Sequence, residues 1–160
     1  MSQAKTYSES IIINASPQQV YDVVSDVTRT GQWSPTCKEC WWVEGTGPVA
    51  GAKFKGRNES PRRTWETVSE VVAAEPGRVF SWSVGEGKVN WAYTLTAVPE
   101  GTELAESWEF TEAGQDFFKE KFGETAQFEM DERSQAAHEG IPATLQAIKR
   151  IVEAELKTEA

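Results

Sequence analysis

The chain has 160 residues, 39% of them apolar and 26% charged, which is the size and composition of one globular domain and excludes disordered and fibrous classes. A formal net charge of −9, spread along the chain, repels phosphate backbones and anionic headgroups, so neither nucleic acid nor a stable membrane association is expected. Residues 1–7 carry no apolar stretch, and no segment approaches the roughly 20 apolar residues of a membrane helix, so the expected compartment is the cytoplasm. Seven Trp and seven Phe are more aromatic area than a small core needs, and part of it is expected to line a pocket.

Residues 10–13 predict a short apolar strand. Ser16 followed by Pro17 marks a helix N-cap and first helical position, with Val20, Val23 and Val24 as the buried stripe. Asp26 caps a second short helix that ends at Gly31, and Trp33 then drops back toward the core. Between residues 37 and 111, short β-runs alternate with Gly, Pro and acidic turns, which predicts a meander of hairpins. Cys37 and Cys40 form a C-x-x-C at its start. Redox chemistry would put such a pair at a helix N-terminus, and zinc would need two further ligands from a chain with no other cysteine and one histidine. With Trp41, Trp42 and Val43 following as a strand, the pair reads as inert strand thiols, and no metal site is expected.

The turns set the hairpin registers. A turn at Ser60-Pro61 places Gly56 opposite Trp65, Phe54 opposite Thr67 and Lys55 opposite Glu66. One at Glu75-Pro76-Gly77 places Val71 opposite Phe80 and Ser69 opposite Trp82. Residues 85–88 place Trp82 opposite Trp91 and Phe80 opposite Tyr93, and residues 98–101 place Trp91 opposite Trp108 and Tyr93 opposite Glu106. A slip by one residue would turn every side chain to the other face. In these registers Phe54, Trp65, Phe80 and Trp82 share one face with Trp91, Tyr93, Trp108 and Phe110, while Lys53, Lys55, Glu66, Glu70, Glu103 and Glu109 take the other. The basic cluster Lys53, Lys55 and Arg57 reads as one side of ordinary cross-strand charge pairs on the solvent face.

After Thr111 the period becomes helical. Phe118 and Phe122, one turn apart between Gly114 and Gly123, predict a short amphipathic lid with glycine hinges. Met130, Ala137, Ile141, Leu145, Ile148, Val152 and Leu156 then mark a long helix, with Pro142 expected to kink it near His138. An apolar helix stripe and an aromatic sheet face must cover each other, which gives an α+β architecture of about seven antiparallel strands curved around a C-terminal helix. One domain is expected over residues 1–160, with a core over about 8–156.

The order strand, two short helices, six-stranded meander and long helix is that of the helix-grip fold. Ala15-Ser16-Pro17 with Val20-Tyr21, then Asp26 and Trp33-Ser34-Pro35, resembles the opening of the START-like (SRPBCC) superfamily, above all its polyketide cyclase/dehydrase branch. Residues 51–58, Trp65, residues 75–80, Glu106-Ser107-Trp108 and residues 140–145 continue the resemblance, which covers roughly residues 10–153. It implies a cavity between sheet and helix for an apolar ligand: lipid, hormone or polyketide. Some members of the superfamily catalyse cyclisation or dehydration, and fold alone does not choose among these roles.

Candidate ligand-binding residues are therefore Phe54, Trp65, Phe80, Trp82, Trp91 and Tyr93, together with Glu106, Trp108, Phe110, Phe118, Phe122, His138 and Ile141. Glu106 shares strand parity with Leu104, Trp108 and Phe110, so its carboxylate points into the aromatic cavity, with Tyr93 across from it and Arg63 within reach. It is either a ligand anchor and acid/base group or half of a structural Glu–Tyr or Glu–Arg pair. His138 borders the cavity-facing stripe of the long helix, as a proton shuttle or a rim residue. Glu106, Tyr93 and His138 are the candidate catalytic residues; no serine sits in a nucleophile elbow, no Gly-rich loop cradles a phosphate, and no cofactor is implied. Two functions follow: a binding protein, monomeric or homodimeric, for an apolar aromatic or polycyclic molecule or lipid, or a cofactor-free cyclase or dehydratase using Glu106 and Tyr93.

Overall fold

Period-two alternation of apolar and polar residues builds β1 (Lys5–Ile13), β2 (Cys37–Glu44), β3 (Lys53–Glu59), β4 (Thr64–Glu75), β5 (Val79–Val84), β6 (Val89–Val98) and β7 (Gly101–Phe110). In the computed structural model, which describes residues 3–159, these strands form one antiparallel sheet in the order β1-β7-β6-β5-β4-β3-β2. β7 displays the pattern most cleanly. Thr102, Leu104, Glu106, Trp108 and Phe110 are buried on the inner face, and the residues between them are only half-buried. The strand β1 is longer than its apolar core residues suggest, because Thr6, Ser8 and Ser10 continue the ladder along β7 as a polar edge.

The curved sheet holds α3 (Ala126–Glu159) against its inner face. Ala137, Ile141, Leu145, Ile148 and Val152 form the buried stripe of that helix, and each fully buried large side chain contributes about 1.5–3 kcal/mol. The helix runs through Pro142 without a break in its assignment. Between β1 and β2, α1 (Pro17–Val24) opens with a capping box. Ser16 Oγ accepts from the Gln19 N–H at 3.2 Å, and Gln19 Oε1 accepts from the Ser16 N–H at 2.9 Å. Asp26 then caps a 3-10 helix, Val27–Gln32, by accepting from the Thr28 N–H at 3.1 Å, and Trp33 is buried as expected.

Two of the four hairpin registers are as expected: Trp82 faces Trp91, Phe80 faces Tyr93, Trp91 faces Trp108 and Tyr93 faces Glu106. The last of these depends on a two-residue turn at Pro99-Glu100. Gly101 closes it with φ +137°, and a Cβ there would press on the Ile13 carbonyl and lie 2.8 Å from the Ala15 nitrogen. The other two registers differ from expectation by a two-residue shift that keeps parity. β3 and β4 are joined by a four-residue turn closed by the Ser60 N–H on the Arg63 carbonyl (2.9 Å), so Asn58 faces Trp65, Gly56 faces Thr67 and Phe54 faces Ser69. Arg57, not Lys55, therefore faces Glu66; Lys55 faces Val68 and Lys53 faces Glu70. In β4–β5 the turn over residues 76–78 sets Ala74 against Phe80, three residues off expectation, and a bulge at Val72 takes one residue back, so Val71 faces Trp82 and Ser69 faces Val84, a net shift of two.

The segment before α3 is also corrected. Thr111 caps α2 (Glu112–Phe122) by accepting from the Gly114 N–H at 3.0 Å, so Gly114 lies inside the first turn and is no hinge. A Cβ on Gly114 would collide with the Lys88 carbonyl and lie 2.8 Å from the Phe110 ring. Only Gly123, at φ +54°, breaks the helical backbone. Among the described residues no helix is long and apolar enough to cross a membrane.

In most helix interiors Gly→Ala stabilises by about 0.5–1 kcal/mol. Gly114→Ala is expected to do the reverse, costing about 1–3 kcal/mol in a denaturant titration, because the methyl overpacks the contact between α2 and the β5–β6 turn. Unchanged or raised stability would mean that the N-terminus of α2 is free to move.

Candidate functional site

Where the inner face of the sheet meets the N-terminal half of α3, the two do not close on each other. They enclose a cavity of about 230 Å³. Phe54 and Trp65 line it from β3 and β4, Phe80 and Trp82 from β5, Trp91 and Tyr93 from β6, and Glu106, Trp108 and Phe110 from β7. Phe118 of α2 and Ile141 of α3 complete the expected set. The rings are mutually ordered. Trp82 and Trp91 stack with planes 12° apart and centroids 6.3 Å apart, and Phe110 meets Phe118 edge-on at 5.1 Å.

Two expected residues lie elsewhere. The cavity stripe of α3 passes through Arg133, Ala137, Gly140, Ile141 and Thr144, and His138, one residue on from Ala137, is turned about 100° away from it. Its exposed ring lies 4.1 Å from the Tyr7 ring of β1, with Nδ1 2.7 Å from the Ser134 carbonyl. Phe122 packs on Phe118 at 5.2 Å and lies under the Arg63 guanidinium at 5.4 Å, outside the lining.

Arg63 does not reach Glu106. It bonds Glu129 of α3 at 2.6 Å, and Arg62 bonds the same carboxylate at 3.1 Å. Both bonds fall on Oε1 of that buried carboxylate, while its Oε2 has no partner among the described residues; Glu106 differs in having no described cation beside it. Glu106 is 5% exposed, and no described residue bonds its Oε1. Burial alone pushes its carboxyl up from an ordinary 4.5 to about 8, so near neutral pH it carries a proton and can donate. Tyr93 stands opposite it on β6, its phenol raised well above the usual range by burial first and by the Glu106 charge next.

Sequence reasoning did not single out Arg133, Cys37 or Cys40 as lining residues. Arg133 lies over the Trp65 ring at 4.2 Å and near Phe118 at 5.5 Å, and burial lowers its pKa. Its spacing of four from Glu129 on one helix face was the readable signal. The chemistry available is therefore a flat aromatic slot with one neutral acid, one phenol and one stacked guanidinium, and no described cluster of three metal-binding side chains.

A family model described as polyketide cyclase / dehydrase and lipid transport matches residues 4–146. The chain belongs to that family. A polyketide cyclase-like protein of Corynebacterium glutamicum, solved by solution NMR, is 55% identical over 99% of this chain and 97% of its own, with a TM-score of 0.72. The di-domain ARO/CYC protein StfQ of the steffimycin biosynthetic pathway superposes with a TM-score of 0.72, covering 97% of this chain and 52% of that one at 12% identity. The KanY protein superposes with a TM-score of 0.68 at 19% identity, covering 96% and 99% of the two chains. These last two share the fold alone. No curated protein sequence matches the chain.

The raised Glu106 pKa has a defined sign in stability. Unfolded, Glu106 ionises near its ordinary 4.5; folded, only near 8, so between these values the folded chain holds a proton that the unfolded chain has lost. Its contribution is full below the lower value and is lost as pH rises through the upper one, by at most roughly 5 kcal/mol. Denaturation of parent and Glu106→Gln across this range should show the parent losing stability relative to the variant as pH rises. A difference independent of pH would place the carboxyl in contact with solvent.

Proposed function

We propose that the chain binds a compact apolar aromatic molecule carrying a carbonyl or hydroxyl group, and that protonated Glu106 holds that group. The observation that carries this reading is the buried Glu106 Oε1 without a partner among the described residues, set in a row otherwise made of Thr102, Leu104, Trp108 and Phe110. Leaving such a group unsatisfied costs about 1–3 kcal/mol, which a ligand's polar atom offsets. Cavity size supports a ligand of one or two rings. A void of about 150 Å³ accepts benzene, and this one is about 230 Å³. Membership of a polyketide cyclase / dehydrase and lipid transport family supports an apolar ligand without naming it.

Acetylnaphthalene and naphthalene differ by one hydrogen-bond acceptor and make a direct probe pair, read by quenching of Trp fluorescence. At pH 6 the ketone should bind the parent about tenfold more tightly than the hydrocarbon, since a hydrogen bond to a buried donor contributes about 1–1.5 kcal/mol. This advantage should fade as pH rises through about 8, because the carboxylate cannot donate. Glu106→Leu should abolish the advantage at every pH, and Glu106→Gln should keep it without pH dependence. If neither probe binds, the rings fill their own space; if both bind equally, Glu106 is no anchor.

A second reading is acid/base catalysis, a cyclisation or dehydration in which Glu106 gives and takes a proton beside Tyr93. A carboxyl titrating near 8 supports it, since general acids and bases work best near the ambient pH. Under this reading Glu106→Gln keeps binding and loses turnover. Native mass spectrometry of protein purified from its own host would supply the molecule on which turnover is tested.

A further inference from the structure

Cys37 and Cys40 should not meet. In a regular strand, residues three apart point to opposite faces. In β2, however, Cys37 pairs with Asn58 and Glu39 with Arg57, so Lys38 is an extra residue without a partner across the ladder. That bulge turns Cys37 onto the inner face beside Cys40, and the two sulfurs lie 3.2 Å apart. Ser34 Oγ secures the approach by accepting from the Cys37 N–H at 2.9 Å.

The facing strand is shaped to fit. Gly56 pairs with Cys40, and a Cβ on it would lie 3.2 Å from Cys37 Sγ and 3.3 Å from Cys40 Sγ. Any side chain there would crowd both sulfurs. Both cysteines line the cavity, Cys37 half-buried and Cys40 buried, and their charges act on the Tyr93 phenol together with that of Glu106. The pair therefore borders the polar end of the slot.

The two thiols are also unequal. A hydrogen bond from Cys40, with Arg57 and Lys38 nearby, holds Cys37 below the usual thiol range against the opposing effect of burial. Cys40 is raised by Cys37 and by burial. Cys37, half-buried where Cys40 is buried, is also the sulfur an incoming molecule can reach, so Cys37 attacks and Cys40 resolves.

We infer that Cys37 and Cys40 form a thiol–disulfide exchange site in the cavity wall, which takes small disulfides and alters ligand binding when its own bond closes. The Cys37 thiolate attacks one sulfur of a low-molecular-weight disulfide. The S–S bond of that molecule breaks, one small thiolate leaves, and a mixed disulfide remains on Cys37. Cys40 passes its proton to the departed thiolate, its sulfur attacks Cys37 Sγ, and the second small thiolate leaves. Two electrons move from the dithiol to the small disulfide. The sulfurs need to close by only about 1 Å to reach bonding distance. The effect on binding rests on the cavity reading above; the exchange does not.

Full-length reduced protein incubated with oxidised glutathione should lose the mass of two hydrogens, keep no glutathione and yield no alkylatable thiol, and dithiothreitol should reverse this. Cys40→Ser and Cys40→Ala should each stop at one glutathione adduct on Cys37. Cys37→Ser should remain unmodified under conditions in which the parent is fully oxidised. The affinity for acetylnaphthalene should differ between reduced and oxidised parent by about threefold or more, near 0.7 kcal/mol. A parent that stays reduced, or that halts at a stable glutathione adduct, overturns the exchange site. A closed bond with unchanged probe affinity overturns its link to the cavity. Failure of the probe to bind reduced protein sinks the cavity reading instead, and the thiol count still decides the exchange.

Discussion

Flat rings on a curved sheet have to be covered by a helix whose side chains change size along its length. In the C-terminal half of α3, Leu145, Ile148 and Val152 are fully buried and fill the space above the sheet. In the N-terminal half Arg133 lies over Trp65, but the cavity-facing positions between it and Ile141 are Ala136, Ala137 and Gly140, too small to reach across to Trp82, Trp91 and Trp108. Rings as large as Trp82, Trp91 and Trp108 do not interdigitate with such small residues, and interior packing near 0.75 gives way locally to a void. The long helix therefore seals one end of the molecule and leaves a slot at the other. Every other feature of the site is arranged around that mismatch.

The treatment of charge sharpens the contrast. Glu129, buried on α3, is held by Arg62 and Arg63, and Glu155 near the end of the same helix is paired with Arg29. Such pairs tie α3 to the β3–β4 turn and to the first helices, and removing one partner of a buried ion pair would leave the other uncompensated. Glu106 is given none of this. It sits between Leu104 and Trp108 and escapes the cost of burial by taking a proton. A carboxyl kept neutral in an apolar slot is a hydrogen-bond donor, and the proposed function grows from that property.

The edge of the sheet adds a second chemistry. A β-bulge, a glycine on the facing strand and a serine bond to the incoming backbone bring two thiols together at a position where strand periodicity would keep them apart. Bulges are recurrent devices for re-aiming side chains near functional sites. Here one makes a dithiol out of residues that look inert in sequence.

Much of this was legible in the amino-acid order. Ser16-Pro17 and Asp26 marked both short helices because caps are local hydrogen bonds. Parity put Phe54, Trp65, Phe80, Trp82, Trp91, Tyr93, Glu106, Trp108 and Phe110 on one face, and it survived two register errors because one was a shift by two and the bulge at Val72 turned the other, three at the turn, into two. What sequence could not determine were quantities set by contact between distant segments. The partner of Arg63 depends on where α3 lies over the β3–β4 turn, and it is Glu129 rather than Glu106. The direction of His138 depends on the rotation of α3 about its axis, which packing against β1 and β7 decides. The meeting of Cys37 with Cys40 depends on a bulge that only pairing with β3 creates. Alternation and capping act within a few residues and are written in the chain; helix rotation, ion-pair partners and bulges are choices among nearly equal local conformations, and only the packed tertiary structure makes them.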